Sequence, residues 1–143
     1  MKLFATIALP LSFTATLVSA QTGGIDALRA QAESGDASAQ TLLGWLTEDA
    51  QAQVKWWRLA AENGHAEAQW ALGSMYADGL GVPQNYEYAV KWFRLSANQG
   101  NASAQRLLGW MYREGHGAPQ NFQKAYFWYS LSAARGNRMG ASE

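Results

Sequence analysis

Apolar residues recur along this chain at intervals of three and four, the spacing that places side chains on one face of an α-helix. One such face returns after 36 residues, first as Ala68, Leu72, Met75 and Tyr76 and then as Ala104, Leu108, Met111 and Tyr112. Each is followed by a second face, first as Ala89, Trp92, Phe93 and Ala97 and then as Ala125, Trp128, Tyr129 and Ala133. The pattern predicts pairs of helices, with Trp92 as a core residue between adjacent pairs.

Glycine, proline and asparagine mark the loop between the two helices of a pair. Gly79, Gly81 and Pro83 return as Gly115, Gly117 and Pro119. Glycine permits positive φ and proline cannot continue the first helix, so this segment is predicted to be a loop. Four side chains are predicted N-caps: Asp36, Asn85, Asn101 and Asn121. Three glycines inside first helices cost helix propensity and therefore predict close helix approach: Gly44, Gly73 and Gly109.

The whole chain is organised by this repeat. Gly64, Gly100 and Gly136 lie 36 residues apart, which predicts repeats at 35–63, 64–99 and 100–136. The first repeat is seven residues shorter because its inter-helix loop is trimmed. Residues 21–34 align with a second helix and are predicted to form an N-terminal capping helix, and 137–143 a short C-terminal tail.

The motif from Ala68 to Gly100 resembles the Sel-one-like repeat (SLR), a relative of the tetratricopeptide repeat. The resemblance covers Gly35 to Gly136. It implies an all-α fold, a right-handed superhelix of helix-turn-helix repeats whose first helices line a concave face. It also implies protein–protein interaction, since exported bacterial members act as adaptors, assembly factors or regulators in the cell envelope. Some cysteine-rich relatives are linked to β-lactams, so an enzyme acting on cell-wall material or β-lactams is the alternative.

The N-terminus has the features of an export signal. Lys2 precedes an uncharged, largely apolar stretch over residues 3–18, and Val18-Ser19-Ala20 places small residues where signal peptidase requires them. Residues 1–20 are therefore predicted to be a signal peptide, with a mature chain starting at Gln21 in the periplasm or outside the cell. An uncleaved anchor or a buried N-terminal helix is the alternative.

The amino-acid composition of the chain limits the kinds of binding and catalytic site that it can form. The 143 residues include 11 basic and 11 acidic side chains, so net charge suggests no attraction to nucleic acid or to an anionic membrane. The chain has no cysteine, which excludes thiolate metal sites and a cysteine nucleophile. His65 and His116 lie far apart in the repeat and give no metal spacing. Ser96 and Ser132 have no His–Asp partners. The sequence predicts no catalytic residue, metal or cofactor.

One polar and aromatic stripe remains on the face of the first helices opposite the core. Its candidate partner-binding residues are Trp45, Trp70, Arg106, Trp110 and Arg113. Tryptophan and arginine are frequent binding hot spots, and the stripe is predicted to contact a protein or peptide. The alternative is that these tryptophans pack against neighbouring repeats.

The last helix is unusually aromatic. Phe127 stands where the other repeats have Lys55 and Lys91, so an exposed position has become apolar. An uncovered apolar end of a solenoid normally needs a cap. Phe127 is therefore predicted to bind a partner or a second copy of the chain, and the alternative is that residues 137–143 fold back over it.

Overall fold

The computed structural model describes residues 23–140, and residues 137–140 by their backbone alone. This part of the chain is all-α, and the predicted signal peptide lies outside it. α1 spans 23–33, and the other helices are α2 (Ala37–Leu46), α3 (Ala50–Glu62), α4 (Ala66–Asp78), α5 (Tyr86–Asn98), α6 (Ala102–Glu114) and α7 (Phe122–Gly140). None of the helices between residues 23 and 140 has the length and apolar composition needed to cross a membrane.

The helices form an α-solenoid in which each packs on its neighbours in the chain. The three hairpins are α2–α3, α4–α5 and α6–α7, and they are joined through the α3–α4 and α5–α6 contacts. α1 covers the outer side of α2, where Ala32 of α1 is buried with Ala39 and Leu43. The predicted first-helix core is confirmed, since Ala68, Leu72, Ala104 and Leu108 are fully buried.

All four predicted N-caps are confirmed. The side chains of Asp36, Asn85, Asn101 and Asn121 each accept a hydrogen bond from the backbone N–H three residues on, at 2.8–3.0 Å. These bonds satisfy backbone donors that have no partner inside the helix. His65 holds the same position before α4 but makes no capping bond. Its Nδ1 instead lies 3.0 Å from Thr41 Oγ1 and links α4 to α2.

The glycines inside the first helices lie where an aromatic ring from the next helix packs against the backbone. A Cβ on Gly73 would lie 2.8 Å from the Phe93 ring, and one on Gly109 would lie 3.1 Å from the Tyr129 ring. Gly44 faces the indole of Trp57 in the same way. The predicted close approach of helices is therefore confirmed, and each glycine accommodates one ring.

This arrangement corrects the prediction for Trp92. Phe93 is the core residue, with 1% of its surface exposed, whereas Trp92 is only half-buried. Phe93 fills the space above Gly73, and the neighbouring position is rotated by about 100° around the helix, away from that space. The Trp92 ring lies at the edge of the core, with the Lys91 ammonium 5.5 Å from its centroid.

The loop glycines have the predicted positive φ. Gly79 and Gly115 end α4 and α6 in the left-handed conformation. Gly81 and Gly117, with φ of 69° and 70°, lie where a Cβ would collide with the carbonyl groups of Ala50 and Tyr86. Each loop therefore rests on the start of the second helix of the preceding repeat, and only glycine fits there.

The C-terminal end departs from the pattern of the earlier repeats. Gly64 and Gly100 turn the chain with φ of 85° and 94°, but Gly136 is helical and α7 continues to Gly140. After Gly64 and Gly100 the next helix stabilises the turn, because Gln69 and Gln105 donate to the carbonyls of Ala61 and Ala97. The predicted tail over 137–143 begins inside α7.

Candidate functional site

The first helices α2, α4 and α6 lie in a row, and the spaces between their outward faces are the candidate binding grooves. The space between α2 and α4 is filled by tryptophan. The rings of Trp45 and Trp70 lie 5.9 Å apart, and Trp45 also meets Trp57 edge-on at 4.8 Å. Trp45 and Trp70 therefore pack against each other across two repeats, as the alternative interpretation of the stripe expected.

The space between α4 and α6 is open. α4 presents the small side chains of Ser74 and Ala77 here, where Trp110 and Arg113 occupy the equivalent positions of α6. The resulting cavity, called the α4–α6 groove below, has a volume of about 570 Å³. Its lining residues are Ser74, Ala77, Asp78, Phe93, Arg106, Leu107, Trp110, Met111, Arg113 and Tyr129. That volume lies in the range of sites that bind small molecules or short peptide segments.

The two arginines of the groove are both exposed, but their surroundings differ. Arg106 forms no ion pair within residues 23–140, whereas Arg113 Nε donates to Glu114 Oε1 at 2.7 Å. This hydrogen bond, together with the nearby Tyr129, raises the pKa of Arg113 above its usual value. Arginine side chains are cations at neutral pH, and Asp78 lies on the α4 side of the groove.

Trp110 is held by aromatic contacts at the end of α6. The His116 ring lies 5.1 Å from the Trp110 ring and stacks on Tyr86 at 4.6 Å with an interplanar angle of 20°. His116 has no role predicted from the sequence. The only sequence signal for such a role is that the preceding repeat has Leu80 and Ala50 in place of His116 and Tyr86. The contact between His116 and Tyr86 is visible only in the fold.

The structure brings together three of the six predicted site residues. Arg106, Trp110 and Arg113 line the α4–α6 groove, and Trp45 and Trp70 form the neighbouring tryptophan contact. Phe127 lies on α7, is 54% exposed and meets only Trp128 among the aromatic rings described. Phe93 and Tyr129 also line the groove from the second helices, and neither is among the predicted site residues.

The two serines considered in the sequence as possible nucleophiles have structural partners. The hydroxyls of Ser96 and Ser132 donate to the carbonyls of Ala66 and Ala102, at 2.6 and 2.8 Å. Among residues 23–140 there is no group of three or more His, Cys, Asp or Glu side chains that could hold a metal ion. The α4–α6 groove is therefore the feature whose shape and chemistry are best suited to a ligand.

Comparison with protein families gives one consistent result. The family model described as "Sel1 repeat" matches residues 37–65, 66–101 and 102–137. Each match begins at the first residue of a first helix, α2, α4 or α6. Comparison with curated proteins finds no match.

Solved structures show the same fold. A protective antigen of uropathogenic Escherichia coli strains, c5321, has an SLR fold and is 39% identical, with a TM-score of 0.75 over 78% of this chain and 26% of its own. A Sel1 repeat protein from Oxalobacter formigenes is 35% identical, with a TM-score of 0.68 over 71% and 44%. Helicobacter pylori cysteine rich protein B is 16% identical, with a TM-score of 0.64 over 79% and 86%, and shows the fold alone. The chain thus spans less than half of the two more identical proteins.

Proposed function

Because this chain belongs to the Sel1 repeat family, whose members are protein–protein interaction scaffolds, we propose that it is an exported binding scaffold of the bacterial cell envelope. Its role there is that of an adaptor or regulator, and the α4–α6 groove is its partner-binding site. The enzyme alternative has no supporting observation among residues 23–140, and the family is in general non-enzymatic.

One observation carries this proposal. The repeats place Trp110 between two exposed arginines beside an open groove, while the equivalent groove between α2 and α4 is filled by Trp45 and Trp70. Tryptophan and arginine are the residue types on which binding energy most often concentrates, especially around a concave, partly apolar site. The sequence at residues 1–20 supports export, and the description of the E. coli relative as a protective antigen is consistent with it.

Site-specific photocrosslinking in bacteria that express the whole chain tests the binding site. A photoreactive residue at Ser74, inside the groove, should give a discrete adduct with a partner protein. The same residue at Leu95, exposed on α5 and outside the groove, is the matched control and should not. The adduct should disappear when Trp110→Ala and Arg106→Ala are combined, while far-UV circular dichroism stays helical. An adduct equally strong at Leu95, or unaffected by the double substitution, would place binding elsewhere.

Export has an independent test. Mass spectrometry of the protein recovered from the periplasm or the medium should show an N-terminus at Gln21, because signal peptidase cleaves after small residues such as Ala20. A full-length chain retained in the cytoplasm would contradict the proposed location without affecting the groove.

A further inference from the structure

We propose that the segment bound in the α4–α6 groove is an internal acidic stretch of a partner protein, with an apolar side chain between two carboxylates. This inference rests on the proposed function and names the chemistry of the partner. It is carried by the order of side chains along α6, by the small residues of α4 and by the charge of the two walls.

The α6 wall presents a cation, an aromatic ring and a second cation in line. Arg106, Trp110 and Arg113 are separated by four and three residues, which places the two arginine backbones about 10 Å apart along the helix. Trp110 is fixed between them by its contact with His116. A ligand that lies along this wall with an apolar side chain on the indole also places its flanking groups beside the two guanidinium groups. Those flanking groups must therefore be able to bind a guanidinium, as a carboxylate does.

An extended peptide fits this order. Alternate side chains of an extended strand point the same way, and residues i, i+2 and i+4 span about 13 Å at roughly 3.3 Å per residue. The arginine side chains are long enough to accommodate the difference between the span of these three peptide residues and the spacing of the two arginine backbones along α6. The matching pattern is acidic–x–apolar–x–acidic. A free C-terminal carboxylate would serve one arginine only, so the two cations favour carboxylates of side chains inside a segment.

Both arginines are available to such a ligand. Arg106 has no ion-pair partner among the described residues, and Arg113 is paired only with Glu114 on the solvent-exposed surface. An exposed ion pair of this kind contributes little to stability, so Arg113 can exchange Glu114 for a carboxylate of the ligand. The intervening x residues face α4, where Ser74 and Ala77 leave room for small side chains.

The charge distribution of the solenoid orients the ligand. Residues 23–78 hold eight acidic and three basic side chains, whereas residues 79–136 hold two acidic and six basic ones. The groove lies at this boundary, with Asp78 on its α4 wall and two arginines on its α6 wall. Carboxylates of a ligand are therefore attracted to α6 and repelled from α4, which fixes the face of the segment that contacts Trp110.

Three synthetic peptides test the proposal with the whole chain. The acidic peptide is acetyl-Gly-Glu-Ser-Phe-Ser-Glu-Gly-amide, and the other two replace both glutamates with glutamine or with lysine. Blocked ends leave the side chains as the only charges. By calorimetric titration the acidic peptide should bind about five- to tenfold more tightly than the glutamine peptide, because two exposed ion pairs are added. The indole N–H resonance of Trp110, assigned with Trp110→Phe, should shift on binding.

Charge reversal locates the effect. Arg106→Glu should abolish the preference for the acidic peptide, because the α6 wall then holds one glutamate and one arginine, and the acidic and lysine peptides each gain one attractive and one repulsive charge pair. Lys91→Glu makes the same change of net charge on α5, outside the groove, and should alter affinity for the acidic peptide by less than about threefold. Equal affinity of the unsubstituted chain for the three peptides, or equal effects of the two substitutions, would overturn the proposal. If the acidic peptide fails to bind while the Ser74 crosslink persists, the inference is wrong and the scaffold function stands. If the peptide fails to bind and the crosslink is also absent, the inference and the proposed binding site are both wrong.

Discussion

At the residue scale, neighbouring aromatic positions have different roles that depend on their direction from the helix axis. Each second helix carries two adjacent aromatic residues, and the second of the pair meets the glycine of the first helix. Trp57 and Phe93 are buried in this way, with 4% and 1% of their surfaces exposed, while Trp56 and Trp92 are half-buried beneath lysine side chains. Tyr129 holds the same position in α7 and also reaches the groove.

This difference predicts unequal costs for two neighbouring substitutions. Phe93→Ala should lower the free energy of unfolding by about 3–5 kcal/mol, the range for deleting a buried aromatic ring. Trp92→Ala removes a larger but half-exposed ring and should cost less, about 1.5–2.5 kcal/mol on the same scale. Urea denaturation followed by far-UV circular dichroism measures both. A larger loss for Trp92→Ala would show that the core position is wrongly assigned.

At the element scale, the hairpins are joined by recurring contacts between backbone and side chain. The buried glutamines Gln40, Gln69 and Gln105 each donate to the carbonyl of an alanine in the preceding second helix, at 2.9–3.2 Å. Within each hairpin, the glycine of the first helix allows the ring of the second to approach the backbone. Each repeat is therefore fixed to its neighbours by defined polar and steric contacts as well as by apolar burial.

Glycine-to-alanine substitutions at two helical positions should have opposite effects. Gly73→Ala would place a methyl group 2.8 Å from the Phe93 ring, and such overpacking typically costs about 1–3 kcal/mol. Gly136→Ala meets nothing within 4 Å and should stabilise the chain by up to about 1 kcal/mol, because alanine favours a helix more than glycine does.

Thermal unfolding of both variants measures the difference. A destabilising effect of Gly136→Ala would mean that Gly136 adopts the left-handed turn of Gly64 and Gly100 rather than continuing α7.

At the scale of the whole molecule, zero net charge conceals a separation of charge along the solenoid. The acidic side chains concentrate in α1 to α4 and the basic ones in α5 to α7. The α7 end also exposes aromatic surface, with Phe122 65%, Tyr126 76% and Phe127 54% exposed. Tyr126 occupies the position of Val54 and Val90, which the next repeat buries to 5% and 4% exposure.

Self-association through this end stays a prediction. We expect the sedimentation coefficient of the chain to rise with concentration, because exposed aromatic surface favours association. Phe127→Lys, which restores the residue type of the other repeats, should reduce that dependence. Lys124→Gln on the same helix is the control and should leave it unchanged. A concentration-independent monomer for the unsubstituted chain would refute the prediction.

The amino-acid sequence alone is enough to predict the repeat, the helix pairs, the caps and the glycine loops, because these depend on residues close together in the chain. Asn85 caps α5 through a bond to a residue three positions away, and Gly79 turns the chain by its own φ. The sequence also predicts Arg106, Trp110 and Arg113 as neighbouring site residues, since helical periodicity alone puts them on one face.

Which of those outward residues have open space beside them depends on how the helices of different repeats pack together. Trp45 and Trp70 come from different repeats, and whether they meet depends on the distance and rotation between α2 and α4. The α4–α6 groove likewise exists because Ser74 lies across from Trp110, a relation between helices that no periodicity within one helix encodes. The choice of Phe93 over Trp92 for the core has the same cause, because it depends on which side chain faces Gly73 once the two helices are packed.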